Sequence, residues 1–99
     1  MNMGKTNIDV LRKVKEHIRN GTYILREHAI ERQRQRHVRL PDILRDLEHG
    51  KHEHEKDIFD VKYQRWKHAI RGRTINGIDL RVIVTLQEMM AIITVITVG

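Results

Sequence analysis

The sequence predicts an α+β domain, with helices first and an antiparallel sheet after them. Three observations carry that prediction. Apolar residues recur at helical spacing up to Gly50, and beyond Gly50 the period shortens towards two. Inside the second region, Asn76-Gly77 marks a hairpin, because both residue types tolerate positive φ. Ninety-nine residues make one domain spanning 1–99, with room for a single hydrophobic core.

The elements follow in order. Residues 1–8 are expected to form a flexible N-terminus. Asn7 or Asp9 caps a first helix over about residues 9–20, and Gly21 lies just past its end. Leu11, Val14 and Ile18 give that helix a narrow apolar stripe. A second helix, about 26–37, has only Ala29 and Ile30 as apolar anchors. Leu40-Pro41-Asp42 opens a third, about 41–49, with Ile43, Leu44 and Leu47 as its buried stripe and Gly50 as its stop. His52 to Glu55 is too polar to be more than an edge strand. Trp66 to Thr74 alternates, and the segment from Ile78 to Leu86 alternates most clearly. Ala91 to Val98 forms the last strand after a turn at Gln87-Glu88. The expected architecture is N-terminal helices packed on one face of a three- to four-stranded antiparallel sheet. The helices must cover the face carrying Leu80, Val82 and Val84. The opposite face then presents Lys67, Arg71, Arg81 and Thr85, with Arg73 near the hairpin. Thr94 joins that face only if the last strand turns Ile93 and Val95 inward, which its alternation leaves open.

Composition limits the function classes. The absence of cysteine rules out a disulfide scaffold and a thiolate metal site. The N-terminus has no apolar core of a signal peptide, and the tract from Met89 to Val98 is too short to span a bilayer. The expectation is a cytoplasmic protein without membrane contact. A net charge of +6 points to an anionic partner. From Arg26 to Arg39 the chain holds five arginines and two histidines against two glutamates. As a helix this run stacks His28, Arg32 and Arg36 at i, i+4 and i+8, a cationic row that suits a phosphate backbone.

Tyr23, His28-Ala29, Arg32, Arg36, the Leu40-Pro41-Asp42-Ile43 opening, Gly50, and the strands around Gly72, Gly77 and Leu80-Arg81-Val82 together resemble a family of small bacterial proteins. It is catalogued as a domain of unknown function, number 4258, and the resemblance covers about Tyr23 to Val98. That family is similar in layout to the RelE-like toxins and the wider barnase-like RNase fold. Members of that group cleave RNA without metal and are often neutralised by an antitoxin. The resemblance therefore implies a RelE-like RNA-binding protein, a metal-independent endoribonuclease toxin of a toxin–antitoxin pair. Its partners would be RNA, free or on the ribosome, and an antitoxin protein. The alternative is a non-catalytic nucleic-acid-binding or protein-interaction module.

Metal-free RNA cleavage needs a base for the 2′-hydroxyl, cations for the phosphorane and an acid for the leaving oxygen. His28, Arg32 and Arg81 are the catalytic candidates, and Arg36, Lys67, Arg71, Arg73 and Tyr63 the nucleic-acid-binding ones. Plainer roles compete with these. His28 can hydrogen-bond between helix and sheet, Arg32 and Arg36 can pair with Glu31 or Asp46, and Arg81 can be a solvated strand residue. His49, His52 and His54, with Glu53, Glu55 and Asp57, raise the question of a metal. His52 and His54 would share a strand face, but two ligands on an exposed edge rarely make a site. No metal and no cofactor is expected.

Overall fold

The computed structural model describes residues 10–98, so the expected Asn7 or Asp9 cap and the N-terminal segment lie outside the described residues. The chain runs α1 (Val10–Asn20), β1 (Tyr23–Leu25), α2 (Glu27–Arg36), α3 (Leu40–His49), β2 (Lys51–His52), a single 3₁₀ turn (His54–Lys56), β3 (Ile58–Asp60), β4 (Arg65–Arg73), β5 (Asp79–Leu86) and β6 (Met90–Thr97). Among the described residues, no helix is long and apolar enough to cross a membrane.

The α+β class and the three helices agree with the sequence reading, but the sheet does not. It has six strands rather than three to four, in the order β1-β6-β5-β4-β2, with β3 also on β4. It is mixed rather than antiparallel, because β1 runs parallel to β6. The two strands missing from the expectation, β1 and β3, are three residues each, too short for alternation to register, and the edge strand expected over His52–Glu55 covers only Lys51–His52 before the 3₁₀ turn. β1 is fixed by backbone bonds at both ends, Met90 N–H to the Thr22 carbonyl at 3.0 Å and Arg26 N–H to the Ile92 carbonyl at 2.9 Å.

All three helices pack on one face. Val10 and Val14 of α1, Ala29 of α2, and Ile43 and Leu47 of α3 meet Ile70, Leu80, Val82, Val84, Met90, Ile92 and Val95 in one core. Full burial of a Leu, Ile or Val side chain is worth about 1.5–3 kcal/mol against leaving it in water, so this cluster is what fixes the sheet against the helices. α2 is the least anchored helix, because Ile30 is exposed and only Ala29 is buried.

Local chemistry sets the ends. Pro41 sits in the first turn of α3, and the Arg39 N–H donates to Asp42 Oδ2 at 3.1 Å. Gly50 ends α3 with ordinary φ. The position needs glycine because an added Cβ would collide with the carbonyls of Asp46 and Arg71. In the β4–β5 turn only Gly77 takes positive φ, at 83°, so Asn76 does not adopt the left-handed conformation expected for both. The Gly77 N–H closes the turn on the Thr74 carbonyl at 3.0 Å.

The β5–β6 register slips between Ile83 and Val84, which pair with Thr94 and Ile92. Ile93 is the extra residue. The bulge resolves the ambiguity of the last strand: Ile92 and Val95 both reach the core, and Thr94 lies beside Ile83 on the open face.

Candidate functional site

The open face takes its character from one edge of β4. β3 pairs with Arg65–Lys67, and β2 with Ile70 and Arg71, so the ladder has a gap between them. Asp57 fills it. Its Oδ1 accepts the Ala69 N–H at 3.0 Å, and its Oδ2 accepts His52 Nε2 and His68 Nδ1, each at 2.8 Å. The three side chains are 5–16% exposed. Burial works to raise the Asp57 carboxyl, but the bonds from His68, the Ala69 amide and His52 outweigh it and hold it below the usual carboxylate range. Burial lowers the His52 imidazole, with Asp57 opposing.

These three residues offer ligand atoms within 4.8 Å of one another, a donor set that could hold a divalent transition metal. The set differs from the pair weighed in the sequence. His54 stacks its ring on His52 at 3.8 Å, and His68 of β4 takes the place His54 was expected to have.

With the edge held in this way, the next residue, Glu53, turns to the opposite side of the strand. Its N–H bonds the Ala69 carbonyl at 2.8 Å. Its carboxylate meets Arg81 Nε at 2.6 Å and Arg71 Nη1 at 3.3 Å. Arg71 Nη2 continues to Asp79 at 3.2 Å, and Asp79 receives Arg73 Nε at 3.0 Å. The Arg81 bond, seconded by Arg71 and only partly offset by burial, holds Glu53 below its ordinary pKa, so the carboxylate is ionised at neutral pH. Arg81 is correspondingly raised by Glu53.

A cleft of about 800 Å³ opens beside this chain of charges. Glu53, Arg71, Arg73 and Asp79 line it from the sheet, and Arg45, His49 and Lys51 from the end of α3 and the start of β2. Behind it, on the helix side of Gly72, lies Asp46. It is fully buried, and neither carboxylate oxygen has a hydrogen-bond partner. Burial pushes its carboxyl up to about 8; the Gly72 amide, close by but outside hydrogen-bonding geometry, eases the shift and the Glu53 charge adds to it.

The sequence candidates separate into three groups. Arg81, Arg71 and Arg73 come together at Glu53. The open face is therefore a network of paired charges rather than the bare basic surface expected. His28, Tyr63 and Lys67 line a second cavity of about 520 Å³ at the other end of the face. His28 stays largely exposed, 3.8 Å from Glu31. Lys67 pairs with Asp60 at 3.2 Å. Arg32 and Arg36 line neither cavity. Arg32 bonds Gln35 at 3.1 Å, and Arg36 bonds Thr97 at 3.3 Å while its buried Nε has no partner. Neither pairs with Asp46, which lies under Gly72 instead.

Glu53 and Asp57 are the residues sequence reasoning passed over, having considered them only beside a metal. Glu53 follows β2 and Asp57 precedes β3, so neither belongs to a strand whose alternation would have turned it towards the arginines.

No curated protein and no solved structure matches this chain. A family model does, over residues 25–99, more than half of the chain. That stretch holds α2, α3, the sheet from β2 onward, and both cavities. By this match the chain belongs to the family described as Domain of unknown function (DUF4258).

Proposed function

We propose that this protein binds RNA and cleaves it without a metal, as the toxin of a toxin–antitoxin pair. The observation that carries the reading is Glu53, an ionised carboxylate held between Arg81 and Arg71 at the wall of an open cleft. Glu53 takes the proton of the 2′-hydroxyl as its oxygen bonds to phosphorus. Arg81 and Arg71 turn from the carboxylate to the non-bridging oxygens as negative charge gathers there. The bond from phosphorus to the 5′-oxygen breaks, and that oxygen receives a proton from an acid in the cleft. His49 is the residue we assign to this step, since it lines the same cleft and its imidazole is 67% exposed. Glu53 thus replaces His28 as the proposed base, and Arg81 keeps the role expected of it. Arg45, Lys51 and Arg73 at the rim would hold flanking phosphates.

A protein partner has its own support. Ile58, Val61, Tyr63 and Trp66, around the β3–β4 turn, are each at least half exposed. That concentration of apolar surface suits an antitoxin more than a polyanion.

The test is cleavage of an RNA oligonucleotide in EDTA. Glu53→Gln, verified as folded by circular dichroism, should lose about 10²–10⁴-fold in rate. Induced expression should arrest growth for the wild type and not for Glu53→Gln. Undiminished cleavage by that variant would overturn the assignment. Binding without any cleavage would favour a non-catalytic module.

A further inference from the structure

Thr85 stands on the open face of β5, and its buried side chain has no visible use. It is 3% exposed, and its Oγ1 has no hydrogen-bond partner. Buried hydroxyls in native folds are nearly always satisfied, so an orphan one calls for an occupant. It lines the cavity of about 520 Å³ that lies apart from the Glu53 cleft.

The surroundings say what kind of occupant fits. Ala91 pairs with Thr85 across the strands and, with Ile93, gives the cavity an apolar lining. Tyr63, 57% exposed, adds an aromatic ring. Arg26, Arg65 and Lys67 supply positive charge in excess of the two acids that also line it, Glu27 and the Asp60 that pairs with Lys67. A flat heterocycle would stack on Tyr63, cover the apolar residues and give the Thr85 hydroxyl its missing partner, while an attached phosphate would meet the cations. A cavity of this size lies within the usual range for small-molecule sites.

We infer that this cavity is a base-selecting subsite for one nucleotide of the RNA, with the Thr85 hydroxyl reading the edge of the base. The inference rests on the RNA reading above and deepens it. Lys67 at the subsite and Arg71 at the Glu53 cleft are four residues apart on the same face of β4, roughly 13 Å. One RNA strand crossing the sheet along β4 passes both. The subsite would then choose the sequence, and Glu53 would act at a phosphate some distance along.

The test is a ¹⁵N–¹H chemical-shift titration of the folded protein with each of the four nucleoside 5′-monophosphates, and with inorganic phosphate as a control. At least one mononucleotide should move the amides of Thr85, Tyr63 and Ala91, and phosphate alone should not. The isosteric Thr85→Val should weaken the preferred nucleotide by roughly 2–13-fold, the loss expected for one hydrogen bond, and flatten the ranking among the four. Tyr63→Ala should weaken all four together. The inference falls if no mononucleotide moves those amides, as when a protein side chain is the true occupant. It falls if phosphate reproduces the shifts, or if Thr85→Val keeps the wild-type ranking. Repeating the titration on Glu53→Gln separates the two proposals. Nucleotide binding without cleavage sinks the catalytic reading alone, and cleavage without nucleotide binding sinks the subsite alone.

Discussion

Asp46→Asn should make this protein more stable at neutral pH, and the gain should grow as the pH rises. Asp46 is fully buried, with both carboxylate oxygens unpartnered, and its pKa stands at about 8 against 3.8 for the free side chain. The folded state therefore keeps the proton to much higher pH than the unfolded chain does. Stability from this group is complete below pH 3.8 and is lost progressively as the pH rises through the interval to about 8. Each unit of difference is worth 1.36 kcal/mol, so at pH 7, about three units above the unfolded value, the loss reaches roughly 4 kcal/mol. Asparagine has nearly the same shape and no proton to lose. Relaxation around the site will absorb part of the difference, and a net gain of about 2–4 kcal/mol at pH 7 is expected. Urea unfolding of both proteins at pH 4, 7 and 8.5 measures it. The curves should nearly coincide at pH 4 and separate towards alkaline pH. A difference independent of pH, or a wild type more stable than the variant at pH 8.5, would refute the reasoning.

Two further expectations concern the scaffold of the site. Gly72→Ala would place a Cβ 3.0 Å from Asp46 Cα and 3.2 Å from its carboxyl, so thermal unfolding should report a loss of roughly 1–3 kcal/mol from overpacking. The Asp57 carboxyl is held low in the folded state, so its contribution is present above the unfolded value of 3.8 and fades as the pH falls through the folded one. Asp57→Asn should flatten that acid limb of the stability profile and weaken RNA cleavage through misplacement of Glu53. An unchanged acid limb would mean that the histidine bonds contribute nothing to folding.

Long, regular segments were legible in the sequence. The alternation from Ile78 put Leu80, Val82 and Val84 inward and Arg81 outward, and all three apolar residues are fully buried. α1 and α3 were plain as helices, but in α3 only Ile43 and Leu47 of the expected stripe are buried, and Asp46 takes the inward place expected of Leu44. The short strands were not, because two or three residues carry no period; β1 is tied in by its backbone bonds and by Tyr23 and Leu25 against the core. Half of the candidate site was visible for the same reason that β5 was: strand alternation displayed Arg71 and Arg81. Glu53 was hidden because its partner is 28 residues away, and only the gap filled by Asp57 turns it towards the arginines. His28, Arg32 and Arg36 drew attention as a helical row, yet His28 lies 3.8 Å from Glu31 and the arginines bond Gln35 and Thr97. Charge density along the chain is a poor guide to which cations share a cavity.

The single extra residue in β6 works as a phase shifter. Strand faces are assigned by parity, and Ile93 is where the parity count is reset. Deleting it would leave a perfectly regular strand with nothing wrong locally. Ile92 and Thr94 would become neighbours opposite Val84 and Ile83, so Val95 would stay in the core and Thr94 on the open face. Comparisons within the family that align this strand residue by residue without allowing for the slip will exchange the inside and outside of its last turn of sheet. Deletion of Ile93 should therefore be tolerated, whereas one residue added within the paired stretch Thr94–Thr97 would reset the count a second time and should be the damaging change.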